Sequence, residues 1–130
     1  MSISVGWHDV DQTIVRYDFS GVWNWDEVYG AVETAIEMEE SVTYRVDVIL
    51  NLLDSAHVPP NAITHVKNIA TTKMPDNLKM AVLVTENRAM QVLFNIGSRL
   101  YRKIEEKFYV ATSLETALNV ITQSRAREDA

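Results

Sequence analysis

The chain reads as an α/β protein: an N-terminal β-hairpin, then strands and helices alternating in the order ββαβαβαβα. Together they form a mixed, mostly parallel five-stranded sheet. Three observations predict it. Residues 2–8 and 13–19 alternate apolar with polar, with Ile3, Val5 and Trp7 on one side of the first stretch and Val15, Tyr17 and Phe19 on one side of the second. That period of two, broken by the polar 9–12 turn, is the pattern of an antiparallel hairpin. From residue 24 onward, segments of helical period alternate with short apolar runs, which implies parallel strands joined by right-handed crossovers. Finally, Val46, Val48, Ile49, Leu50, Leu52 and Leu53 make a branched run covered on both faces, as a central parallel strand requires.

The first helix starts at Asn24, which can cap the free amides, with Glu27 three residues on as in a capping box. Trp23 and Val28 stand at the positions of a hydrophobic staple, and Asp26 and Glu27 suit the positive end of the helix dipole. Val28, Val32, Ala35 and Ile36, with Met38 or Glu39, form the buried stripe, and Glu37, Glu39 and Glu40 the solvated end. After the 46–53 strand, Pro60 or Asn61 begins the second helix, whose stripe is Ala62, Ile63, Val66, Ile69 and Ala70. Residues 74–77 turn the chain into a strand over 78–84. A third helix follows Thr85-Glu86-Asn87, with Ala89, Val92, Leu93, Ile96 and Leu100 inward. Residues 107–111 are the last strand. Thr112 then caps a final helix, with Glu115 in the capping-box position and Leu114, Ala117, Leu118 and Ile121 facing in. Residues 1–123 read as one domain and the polar stretch 124–130 as a fraying tail.

With 130 residues and 47% hydrophobic content, the chain suits one folded core. No apolar run approaches the ~20 residues that cross a bilayer, and the N-terminus lacks the basic start and apolar stretch of a secretion signal. No cysteine is present, which removes disulfides and thiolate chemistry, so a cytoplasmic location is expected. A net charge of −6 argues against nucleic acid as a partner and against an anionic membrane surface. The local bases Arg99, Arg102 and Lys103 fit the negative end of a helix dipole.

The loops that follow parallel strands gather at one end of the sheet, where α/β proteins place their sites. Here they are residues 20–24, 54–61, 85–88 and 111–113. A partner or ligand is therefore expected at Asp54, Ser55, His57, Asn24, Trp25 and Asn87. Asp54, Ser55 and His57 do not make a triad, because no Gly-x-Ser-x-Gly elbow exposes the serine. His8, His57 and His65 are the only histidines and lack the i, i+4 spacing of a metal pair, so no metal or cofactor is expected. The aromatic group Trp7, Trp23, Trp25, Tyr17, Phe19 and Tyr29 suits either the end of a small core or a partner surface, with Trp25 the exposed member. Met90, Phe94 and Tyr101 lie off the main stripe of the third helix, and Gly97 invites close helix contact, so a homodimer surface is expected there.

In its order of elements over nearly the whole chain, and in the strand ending Leu52-Leu53-Asp54-Ser55, the protein resembles the anti-sigma-factor antagonist (STAS) domain, the stage II sporulation protein AA-like fold. The resemblance implies a right-handed superhelix of β-α units after an antiparallel first strand. It implies a non-enzymatic regulatory domain, a degenerate partner-switch module. Ser55 would be its phosphoacceptor and a kinase-type anti-sigma factor its partner. His57-Val58-Pro59-Pro60 stands where switching members carry glycine and the helix start. The alternative is a small apolar ligand or lipid held in a SEC14-like domain.

Overall fold

Residues 46–54 sit at the middle of the sheet because both their faces are apolar, and everything else is stacked around them. The structure is a computed structural model describing residues 2–55, 57–100 and 108–129, with the side chains of 96–100 and 129 outside that description. Its elements are β1 (Ile3–Trp7), β2 (Ile14–Ser20), α1 (Trp25–Glu40), β3 (Val46–Asp54), α2 (Ala62–Ala70), β4 (Leu78–Val84), α3 (Arg88–Leu100), β5 (Phe108–Ala111) and α4 (Leu114–Asp129). The strands lie in the order β1-β2-β3-β4-β5, with β1 antiparallel to β2 and each later pair parallel. This is the α/β, mixed five-stranded arrangement that the sequence predicts.

Because every crossover steps the same way along the sheet, right-handed connections put α1, α2 and α3 on one face. Only α4, after the last strand, returns to the other. The core divides accordingly. On the first face Val15, Tyr17, Phe19, Val46, Val48, Leu52 and Leu83 pack with Trp23, Val28, Ala31, Val32, Ala35 and Met90. On the second, Ile14, Ile49, Met80, Val82, Val84 and Ala111 pack with Ala117 and Ile121. Neighbouring residues of β3 and β4 thus point into different cores, which is why these strands carry no polar alternation.

Several expectations need correction. Glu39 is not on the solvated end of α1; it is 1% exposed, while Glu37 and Glu40 are in solvent. The turn of α1 that brings Ala35 to the sheet brings residue 39 as well, one turn further. Pro60 lies before α2, and Asn61, in the left-handed region at φ 64, stands at the N-cap without a side-chain bond. On α2, Ile63 is exposed and Val66 is the buried residue. On α3, Met90 is buried and Leu93 and Phe94 pack on the core, whereas Ala89 is exposed and Val92 is 52% exposed. The inward stripe is one residue later than the spacing suggests. Met90 and Phe94 therefore do not supply a homodimer surface. Phe94 stacks on Phe108 with centroids 5.1 Å apart. Arg102, Lys103 and Tyr101 lie outside the described residues, as do the side chains of Ile96, Gly97, Arg99 and Leu100. Ser113, not Thr112, caps α4: its Oγ accepts the Thr116 N–H at 3.1 Å.

Residues 124–129 do not fray; they are the last turns of α4. Asp47 explains why. It is fully buried, at the amino end of β3, and two arginines converge on it. Arg45 donates to both carboxylate oxygens at 3.1 Å, and Arg125 Nε donates to Oδ2 at 2.8 Å. Arg125 also donates to the Thr13 carbonyl at 3.0 Å, and Arg45 pairs with Glu128 and donates to Ser124 Oγ. Burial disfavours the Arg45 charge, but the bonds to Asp47 and Glu128 outweigh it and push its pKa up. The network ties α4 to β2 and β3. No helix among the described residues is long and apolar enough to cross a membrane.

Removing one partner of a buried ion pair leaves the other charge uncompensated, at about 3–5 kcal/mol. Asp47→Ala is therefore expected to lower the unfolding free energy by about that much in a urea titration. The triple change Arg45→Met, Asp47→Leu, Arg125→Met removes all three charges and is expected to recover most of the loss; no recovery would show that the network does more than compensate charge.

Candidate functional site

The four loops expected to gather do so at the carboxyl ends of the parallel strands. The Gly21 N–H donates to the Asp54 carbonyl at 3.2 Å and the Thr85 N–H to the Ala111 carbonyl at 3.0 Å, which links them in two pairs. Between the ends of β3 and β4 lies an open cleft of about 430 Å³, lined by residues 52–55 and 85–87. Its rim carries the exposed carboxylates Asp54 and Glu86 and the side chain of Leu53, 39% exposed. Thr85 forms part of its floor; it is fully buried, its Oγ1 accepting the Asn87 N–H at 3.0 Å and its carbonyl accepting Gln91 Nε2 at 3.1 Å.

Ser55 is not presented to solvent. It is 6% exposed, and its hydroxyl is used three times, the longest bond being from the His57 N–H at 3.4 Å. The Trp23 indole N–H donates to Ser55 Oγ at 3.0 Å, and Ser55 Oγ donates to the Gly21 carbonyl at 2.7 Å. Gly21 adopts φ 58, a left-handed conformation that favours glycine and turns the chain beneath the serine. Ser55, expected to meet a partner or ligand and by the resemblance to accept a phosphate, is thus held inside the fold. The physical reason is Trp23: the residue before the helix cap is drawn into the core between Phe19 and Trp25, with ring centroids 5.1 Å from each, and its N–H must find an acceptor there.

The other expected site residues separate into caps and clamps. Asn24 and Glu27 form the capping box: Asn24 Oδ1 accepts the Glu27 N–H at 2.9 Å, and Glu27 Oε2 accepts the Asn24 N–H at 3.0 Å. Asn87 caps α3, its Oδ1 accepting the Met90 N–H at 2.9 Å. Trp25 is half-exposed, and its indole N–H donates to the Pro60 carbonyl at 2.9 Å. Asp54 is exposed at the cleft. His57 sets its ring edge-on to Trp23, with centroids 6.2 Å apart. His57 and His65 are each taken by a different tryptophan.

His65 carries the contact that sequence reasoning missed. Its ring stacks on Trp25 at 5.1 Å, and its Nδ1 shares a 2.7 Å hydrogen bond with the Tyr29 hydroxyl. Trp25 and Tyr29 lie one turn apart on α1, so both can meet one residue of α2; that i, i+4 aromatic pair was the only signal available. Among the described residues no three of His, Cys, Asp and Glu converge as metal ligands.

Ser55→Ala strands the buried Trp23 indole N–H and removes a donor from the Gly21 carbonyl. It is expected to lower stability by about 1–3 kcal/mol in denaturant unfolding followed by tryptophan fluorescence. A change within about 0.5 kcal/mol, the scale of an ordinary surface substitution, would show that the tie carries no stability. Compared with family models, curated proteins and solved structures, the chain matches none of them.

Proposed function

We propose that the chain is a non-enzymatic, STAS-like interaction domain that docks a protein partner through the loop end of its sheet. The observation that supports this reading is a braced rim that still offers apolar surface. Val22 is 71% exposed on the loop between β2 and α1, and Leu53 stands open beside Asp54 and Glu86 at the cleft. The loops that carry them are held by Ser55 to Gly21 and by Trp25 to Pro60. Loops already fixed lose little conformational freedom on binding, which favours recognition by a rigid surface. Two carboxylates at the cleft, on a chain of net charge −6, favour a partner with basic side chains there.

A kinase-type anti-sigma factor is the partner class that the resemblance suggests. With the Ser55 hydroxyl bonded inside the fold, the docking described here does not include phosphorylation at that position; Ser55 serves the loop's shape.

A photo-crosslinking side chain placed at Val22, at Leu53 or at the hairpin residue Val10 tests the reading in cells of the source organism. Val10 is exposed at the opposite end of the sheet. Crosslinks to one protein from Val22 and Leu53 but not from Val10 are the expected result, weakened by Asp54→Asn with Glu86→Gln. Equal crosslinking from all three positions, or a lipid retained in native mass spectrometry of the purified chain, would overturn it.

A further inference from the structure

Glu39 is the one buried side-chain oxygen site among the described residues that the fold leaves without a partner: Oε1 has no hydrogen bond, and the residue is 1% exposed. It sits in the last turn of α1, at the end of the sheet remote from the cleft. No lysine, arginine or histidine among the described residues forms an ion pair with it. Among the described residues two titratable groups face it, and one of them opposes its charge. From β2 comes Tyr17, a buried phenol whose own ionisation is opposed by burial and by Glu39. From its own helix comes Glu40, a like charge. β1, the other strand beneath α1, carries no titratable residue over Ile3–Trp7.

The segment that follows is held by three side chains: the Tyr44 hydroxyl donates to the Asp11 and Gln12 carbonyls at 3.2 and 3.1 Å, Arg45 is tied to Asp47, and Asn77 spans the stretch before them. Asn77, just before β4, reaches with its amide nitrogen the carbonyls of Glu39 at 2.9 Å, Val42 at 3.2 Å and Tyr44 at 3.0 Å. The last turn of α1 and residues 41–43 therefore dock together, with Glu39 beneath them, while Tyr44 and Arg45 have ties of their own. A neutral carboxyl tolerates that place; a carboxylate without a donor or a counter-charge does not.

We propose that Glu39 is a pH-dependent latch, which holds the last turn of α1 and residues 41–43 on the sheet when neutral and releases them when ionised, with Tyr44 and Arg45 as the fixed far end. Burial, with the charge of Glu40 adding to it, pushes the carboxyl from its ordinary 4.5 up to about 7. With the docked value above the undocked one, the stabilisation is complete below about 4.5, declines as pH rises, and is lost by the time pH passes through about 7. The latch thus opens on the alkaline side of neutrality and closes on the acid side.

Hydrogen exchange of the full chain, read by peptide mass spectrometry and corrected for intrinsic chemical rates, tests this. Between pH 5.5 and 7.5, opening of residues 37–43 is expected to increase about tenfold or more and then level off. In Glu39→Gln, which keeps the shape and cannot ionise, it is expected not to change. Should that variant fail to fold, a carboxyl carbon NMR titration of the unaltered protein decides: a Glu39 midpoint near neutrality supports the latch, and one in the ordinary glutamate range overturns it. Unchanged protection in the unaltered chain, the same pH response in Glu39→Gln, or an increase spread evenly over β2, β3 and β4 would each overturn it as well.

Discussion

The loop end of this molecule depends on a single hydrogen-bond relay, from the Trp23 indole through the Ser55 hydroxyl to the Gly21 carbonyl. It joins the connection after β2 to the connection after β3, two segments more than thirty positions apart in the chain (|i−j| is 32 for the indole bond and 34 for the carbonyl bond). A serine is well suited to the middle of such a relay because its hydroxyl both accepts and donates. Alanine would leave the indole N–H unpaired in the core, and threonine would add a methyl group where the side chain is already buried. The same relay removes Ser55 from the surface, so the feature that looks most like a switch in the sequence is a structural fastening in the fold.

The two ends of the sheet are held by different physics. At the carboxyl ends of the strands the ties are mostly neutral, indole to hydroxyl, indole to carbonyl and two asparagine caps, with the Glu27 carboxylate closing the first cap. At the amino ends they are ionic, with the fully buried Asp47 between Arg45 and Arg125, whose side chains reach solvent. The neutral ties leave the cleft's charge to Asp54 and Glu86 alone, which keeps the rim acidic. The ionic network draws the last turns of α4 across the second face of the sheet and covers β3 from that side.

The order of elements, the parallel sheet and the doubly covered β3 were legible because each rests on a local period or on one long apolar run. The Asn24–Glu27 box was legible for the same reason: its partners are three residues apart. What could not be read depends on distant partners or on one residue of helical phase. Ser55 reads as exposed until Trp23 is seen to need an acceptor. The 124–129 stretch reads as a tail until Asp47 is seen to need Arg125. On α3, Ala89-Val92-Leu93 and Met90-Leu93-Phe94 are equally good stripes, and only the packing against β5 selects the second. Glu39 was offered to the buried stripe by its spacing and to solvent by its chemistry, and the spacing prevails.

α1 is the element that joins these two ends. Its first turn is fixed by the capping box and by Trp25 on Pro60, and its last turn rests on Glu39 and Asn77. A helix closed by a complete capping box at one end and carrying an unpaired carboxyl at the other cannot respond symmetrically to pH. Ionisation acts on the last turn first, where no donor exists to meet it. The first turn has its polar groups satisfied and no titratable group within the relay, so it keeps its place. Release at the last turn would therefore leave the rim in register, and any effect on docking would have to travel as a tilt of α1 about its fixed start rather than as a loss of the loops themselves.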